Sequence, residues 1–160
     1  PVVGQDPLSI GPAAQDTVGG WLPDDATLSP FDTANPIVRW IDPALLGAVQ
    51  RAARAAQAEG IEMRISSGWR TKGFQQRLFA DGIQRYGSPE AAKEFVASPE
   101  KSNHVTGTAV DIAPVEADLW LIANGPRFGL CQIYANEIWH FELAAVDGRC
   151  PPLKPNAAAD

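Results

Sequence analysis

The chain has little of what most often carries chemistry. In 160 residues it holds two histidines, two cysteines, one methionine and two tyrosines. Two thiols leave room for one disulfide at most. Any chemistry that rests on imidazole must use His104 and His140. There is no apolar run near the roughly 18 residues of a membrane span. There is no excess of basic charge either: the formal net charge is −6 and the pI about 4.8. This balance argues against nucleic acid or an anionic surface held by bulk electrostatics. It leaves a small peptide in a pocket open. No repeats and no second domain are visible, and the length suits one domain with its own core.

Hydrophobic residues make up 45% and charged residues 20%, the profile of a globular protein. Residues 1–36 are rich in Pro, Gly, Asp and Thr with little periodicity, and read as an N-terminal arm or loops. Residues 37–150 read as the functional domain, and 151–160, rich in Pro and Ala, as a tail that frays. The chain opens on Pro1 rather than Met, which we read as a form trimmed of an export signal. An even cysteine count and that export reading together predict a Cys131–Cys150 bond. Closing a loop of about 20 residues, it contributes roughly 3 kcal/mol.

The middle of the chain carries clearer signals. Asp42-Pro43 is an N-cap followed by proline at the first helical position. Leu45, Leu46, Val49, Ala52, Ala53 and Ala56 follow at helical spacing, and Gly60 closes the helix. Residues 61–66 alternate as a half-buried strand. Residues 72–86 form a second helix with Phe74, Leu78, Phe79 and Ile83 on one face. Ser88-Pro89 starts a short helix that runs to about Val96. Residues 108–113 read as a strand, 117–124 as a helix, and 132–134 with 138–143 as a closing hairpin. Helices first and strands later predict an α+β fold, a small antiparallel sheet with helices packed against it.

Both histidines sit near carboxylates. Asp111 follows His104 by seven residues, a rise of about 10.5 Å on a straight helix, too far for one ion to bridge. The segment must bend, and Gly107 is placed to allow it. The strand that follows puts Ala109, Asp111 and Ala113 on one face, leaving space beside a carboxylate that would be costly to bury alone. His140 supplies a third ligand from another strand. Two imidazoles and one carboxylate leave a position open on zinc, as in catalytic rather than structural sites. A carboxylate must then take a proton from water. Glu137 is one candidate, but its parity opposes that of His140 in a regular strand, so it must sit in a turn or bulge. Glu142 shares the parity of His140 and is the rival.

Ser102-x-His104-x-x-Gly107-x-Ala109-x-Asp111, followed by Glu137-x-Trp139-His140, resembles the zinc D-Ala-D-Ala carboxypeptidases and dipeptidases of the vancomycin-resistance type. They form one family within a wider group that includes lysostaphin-like endopeptidases and the hedgehog signalling domain. Ser67-Gly68-Trp69-Arg70-Thr71, with Gln75 five residues after the arginine, extends the likeness to about half the chain. The resemblance implies one zinc held by His104, Asp111 and His140, Glu137 as general base, and Arg70 beside the oxyanion. It implies substrate contacts for Ser102 and Gln75, with Trp139 and Trp69 as pocket walls. The expected partner is a peptidoglycan stem peptide ending in D-Ala, met by a monomeric protein that is secreted, periplasmic or cell-wall associated. An endopeptidase or L,D-carboxypeptidase with the same site is the alternative within the class. A non-catalytic, hedgehog-like zinc module is the alternative outside it, though a purely structural zinc needs neither Glu137 nor Arg70.

Overall fold

The computed structural model describes residues 16–23 and 25–159. Of the arm expected over 1–36, residues 1–15 and 24 therefore lie outside the described residues. Every helix but one begins on a side-chain cap. α1 (Pro36–Arg39) is a single turn capped by Asn35, whose Oδ1 accepts from Ile37 N at 2.9 Å. α2 (Pro43–Ala58) starts at Asp42, whose Oδ2 accepts from Ala44 N and Leu45 N at 3.1 and 3.2 Å. α3 (Lys72–Tyr86) starts at Thr71 and stops at Gly87 in the left-handed region, and α4 (Pro89–Lys93) starts at Ser88. α5 (Val115–Asn124) follows Pro114 without a side-chain cap.

Four short strands form one antiparallel sheet in the order β1 (Arg64–Ser67), β2 (Val110–Ala113), β4 (His140–Leu143), β3 (Leu130–Gln132). The α+β fold expected from the sequence is the one observed. One sheet face carries Ile65, Val110, Ile112 and Phe141 into a core shared with Leu45 and Val49 of α2 and Leu121 of α5. Burying each such side chain fully contributes about 1.5–3 kcal/mol. Side chains alternate along a strand, so Asp111 and His140 project from the opposite face.

Several boundaries differ from the sequence reading: the strand expected over 108–113 spans Val110–Ala113, the helix expected over 117–124 begins at Val115, and three more follow. The strand expected to begin at Ile61 begins at Arg64, because Ile61 N closes α2 by bonding Ala56 O at 3.0 Å. The short helix after Ser88 ends as α4 at Lys93, with turns continuing to Val96. The closing hairpin is displaced: β3 stops at Gln132, and Ile133 and Ala135 pair instead with Lys154 of the tail. Lys154 N donates to Ile133 O at 2.9 Å and Lys154 O accepts from Ala135 N at 2.7 Å. The tail expected to fray is thus anchored to the body at Lys154 and Ala157. Behind it lies the expected disulfide, Cys131–Cys150, with a Cα–Cα distance of 5.6 Å. Ahead of it, Ala157 is buried among Cys131, Ile133 and Tyr134.

The described part of the arm is also tied down. Leu28 bridges Ile65, Thr71 N donates to Gly19 O at 2.9 Å, and Asp16 pairs with Arg77 of α3. These bonds brace the loop between β1 and α3, which carries Arg70.

Candidate metal centre

The register of the sheet assembles the site. Asp111 and His140 are direct partners across the β2–β4 pair, so their side chains leave the same face side by side. His104 reaches them from the loop before β2. That loop bends at Gly107, with φ of +75°. A Cβ there would lie 2.5 Å from Trp40 O, while Gly107 O accepts from Asp42 N at 2.8 Å. The bend the His104–Asp111 spacing demands is therefore locked against the start of α2.

The hydrogen bonds fix what the imidazoles present. His104 Nδ1 lies 2.8 Å from Gly68 O, an acceptor only, so Nδ1 carries the proton and Nε2 presents a lone pair. Gly68 can approach this closely because a side chain there would meet Ile37 O at 2.5 Å. On the other side, His140 Nε2 lies 2.7 Å from Glu142 Oε2, and Asn103 Nδ2 donates to both Glu142 oxygens at 3.0 Å. With that proton on Nε2, His140 Nδ1 presents its lone pair inward. Both nitrogens lie beside one atom: Asp111 Oδ1 is 3.3 Å from His104 Nε2 and 3.5 Å from His140 Nδ1. Asp111 Oδ1 is buried and has no hydrogen-bond donor.

Three buried acceptors facing one another repel unless a positive charge stands between them. The donor set, all within 4.8 Å, fits a single cation of zinc type. The titration tendencies answer the same demand with a proton, which on His140 Nδ1 takes the place a cation would fill. Burial would raise Asp111, but the two imidazoles hold it well below the usual carboxylate range. Burial would lower His140, but hydrogen bonds and charge from Asp111 and Glu142 outweigh it and raise it to about 9. His104 is lowered, chiefly by burial.

Around this cluster is a cleft of about 140 Å³. Arg70, Gln75, Ser102, Tyr134, Glu137 and Trp139 line it. Glu137 sits in the turn before β4, as its parity requires: Glu137 N donates to Tyr134 O at 3.1 Å and His140 N to Glu137 O at 3.3 Å. Its Oε1 is 3.9 Å from His140 Nδ1, and burial raises its carboxyl to about 7. Arg70 Nη2 is 3.8 Å from Asp111 Oδ2 and donates to Ser67 Oγ at 2.7 Å. Ser67 is turned toward it by a β-bulge, where the β1–β2 register shifts between Ile65 and Ser67.

The structure thus brings His104, Asp111, His140, Glu137, Arg70, Ser102, Gln75 and Trp139 to one cleft. It separates the two rival glutamates. Glu142 is engaged behind His140, where it orients a ligand, whereas Glu137 faces the open side. Gln75 is 1% exposed, with its amide spent on the scaffold: Oε1 accepts from Arg70 Nη1 at 3.1 Å and Nε2 donates to Ala97 O at 2.7 Å. Ser102 Oγ accepts from His104 N at 3.3 Å. Trp139 remains 42% exposed at the rim. Asn103, the Gly68 carbonyl and Tyr134, whose ring packs 4.9 Å from that of His140, were not anticipated. Asn103 lies inside the His104 motif, which was the one signal available.

An α+β domain whose central strand pair and preceding loop bring two imidazoles and a carboxylate to an open cleft belongs to the class of single-cation metal-site proteins. The comparisons narrow the class. The family model for VanY, D-alanyl-D-alanine carboxypeptidase, matches residues 39–145, and the chain belongs to that family. A D-alanyl-D-alanine carboxypeptidase of Enterococcus faecalis is 30% identical over 118 residues, covering 58% of this chain and 44% of the relative. The chain thus spans less than half the length of that relative. Among solved structures, the vancomycin-resistance D,D-pentapeptidase VanY in complex with Zn(II) is 30% identical, with a TM-score of 0.59 over 64% of this chain and 71% of that one. VanYB in complex with D-alanine-D-alanine is 28% identical, with a TM-score of 0.60 over 64% and 70%.

Proposed function

We propose that this chain is a zinc-dependent D-alanyl-D-alanine carboxypeptidase that removes the terminal D-Ala from peptidoglycan stem peptides outside the cytoplasm. One observation carries the metal half of this reading: two imidazole nitrogens and a donorless carboxylate oxygen, all buried, lie together. Family membership carries the choice of bond. The disulfide supports an oxidising compartment. No helix among the described residues is long and apolar enough to cross a membrane.

His104, Asp111 and His140 hold the ion, and zinc there supplies Lewis-acid polarisation of the peptide carbonyl and activation of a water. Glu137 Oε1, on the open side of His140, takes the proton from the attacking water and returns it to the leaving amine. Arg70 faces the carbonyl oxygen as negative charge develops on it. Its guanidinium is fixed in advance by Ser67 and Gln75, so little reorganisation is needed at the moment of reaction. Trp139 and Ser102 wall the cleft against the substrate, and Gln75 lines it while bracing Arg70. Glu142 and Asn103 keep His140 in the ligating tautomer.

Incubation of the zinc-loaded protein with purified muropeptides, read by mass, tests the reading. Loss of one alanine from pentapeptide stems is expected. Separation of cross-linked dimers would make the chain an endopeptidase. No change in any species would leave a binding role.

A further inference from the structure

The cleft does not end at the metal cluster. Its outer walls are Ala97, after α4, and Ala157, in the tail, and both residues also line a second cavity of about 200 Å³. The remaining walls there are Lys93, Ser98, Lys101 and Ala158. The two cavities therefore meet across one pair of small side chains.

Both shared walls are held. Ala97 O accepts from Gln75 Nε2 at 2.7 Å, and Gln75 is bound to Arg70. Ala157 is 9% exposed and packs on Cys131, Ile133 and Tyr134, behind the Lys154 pairing and the disulfide. Lys101 lies on the Ser98–Ser102 turn, immediately before Ser102 and three residues before His104, so its backbone is fixed relative to the metal site.

The charge of the second cavity is unusual for this molecule. The chain carries a net charge of −6, yet among the described residues two ammonium groups and no carboxylate line this cavity. Lys93 and Lys101 form no ion pair among the described residues. The neighbouring Glu100 is paired with Lys72 at 3.9 Å. Two uncompensated cations beside a cleft that takes peptides attract an anionic group on the same peptide. The walls that close this cavity, Ala157 and Ala158, lie outside residues 39–145, so the matched family region does not account for them.

We propose that this second cavity is a subsite for a carboxylate of the bound peptide, held by Lys93 and Lys101 while the scissile bond lies over the metal cluster. The proposal rests on the peptide substrate proposed above. Two sources share this chemistry: a side-chain carboxylate upstream of the bond that is cut, and the terminal carboxylate itself.

Three peptides ending in D-Ala-D-Ala separate them: one with both carboxylates free, one with the upstream carboxylate amidated, and one with the terminal carboxylate amidated. Binding is measured by calorimetry to the zinc-loaded Glu137→Gln protein, which leaves the peptide uncut. It is measured again with Lys93→Met and Lys101→Met added; both lysines are exposed, so the fold is retained. An exposed ion pair is worth up to about fivefold in an equilibrium constant, and two such pairs act on one carboxylate here. One amidation is therefore expected to weaken binding by roughly tenfold, and that loss is expected to vanish in the lysine variant. The amidation that does so names the source. Equal losses with and without the lysines, or no loss in either protein, would overturn the subsite. Turnover of the free peptide by the wild-type protein is read separately. A lysine-dependent preference without turnover removes the proposed function and leaves the subsite standing; turnover without the preference does the reverse.

Discussion

Glu137 and Glu142 both approach His140, yet their surroundings divide their labour. Glu142 accepts from Asn103 and faces the far nitrogen of the ring, while Glu137 faces the cleft. Glu137→Gln is expected to keep its zinc and lose turnover by about 10²–10⁴-fold, the usual contribution of a general base. Glu142→Gln is expected to weaken zinc binding by about 10–100-fold, because it orients a ligand. Near-normal turnover in Glu137→Gln, together with loss in Glu142→Gln at full zinc occupancy, would exchange the roles. Asp118 supplies a different test. It is 3% exposed on α5, its Oδ1 has no partner, and its carboxyl is raised to about 7, first by burial and then by the charge of Asp111. A carboxyl raised on folding leaves stability intact below its unfolded value near 4 and removes it progressively as the pH climbs to about 7, by a few kcal/mol at most. Asp118→Asn should therefore melt several degrees above the parent at pH 8, with the gap closing as the pH falls toward 4. Equal melting temperatures at pH 8 would show that the charge is not buried at a cost.

Among the elements, the bend before β2 and the disulfide-backed tail make the sharpest demands. Gly107→Ala must hold a left-handed φ, at about 1–2 kcal/mol, and must also push its Cβ away from Trp40 O. A domain of this size shifts by about 2–4 °C per kcal/mol, so a fall of at least several degrees is expected in thermal unfolding. Reduction of Cys131–Cys150 should lower stability by roughly 3 kcal/mol in a denaturant titration. Elements that begin on local chemistry were the legible ones. Asp42-Pro43 and Ser88-Pro89 name the starts of α2 and α4, since a cap needs only the next three residues. Elements set by long-range pairing were not. Nothing near Ile133 indicates that its partner is Lys154 rather than β4, and nothing near Lys93 indicates that Ala157 closes a cavity over it. The metal cluster was legible because its spacing required a bend and an open strand face, both local features. The Asp111–His140 register that completes it is a contact across 29 residues of sequence and emerges only from the sheet.

At the scale of the molecule, the cluster is a point where folding gathers three potential metal ligands inside the protein. An ion that binds there and not to the unfolded chain stabilises the whole domain. At a free concentration 100 times its dissociation constant, it adds about 2.7 kcal/mol. Zinc should thus raise the melting temperature by roughly 5–10 °C, and a chelator should reverse it. The same ion would align the cleft, Arg70, Glu137 and the lysine-lined cavity around one reacting centre. The proposed activity depends on His104, Asp111 and His140 holding that ion. Equilibrium zinc binding, compared between the parent protein and the His104→Ala, His140→Ala double variant, tests this most directly. One zinc per chain in the parent and none in the variant is the predicted result; full zinc retention in the variant would contradict it.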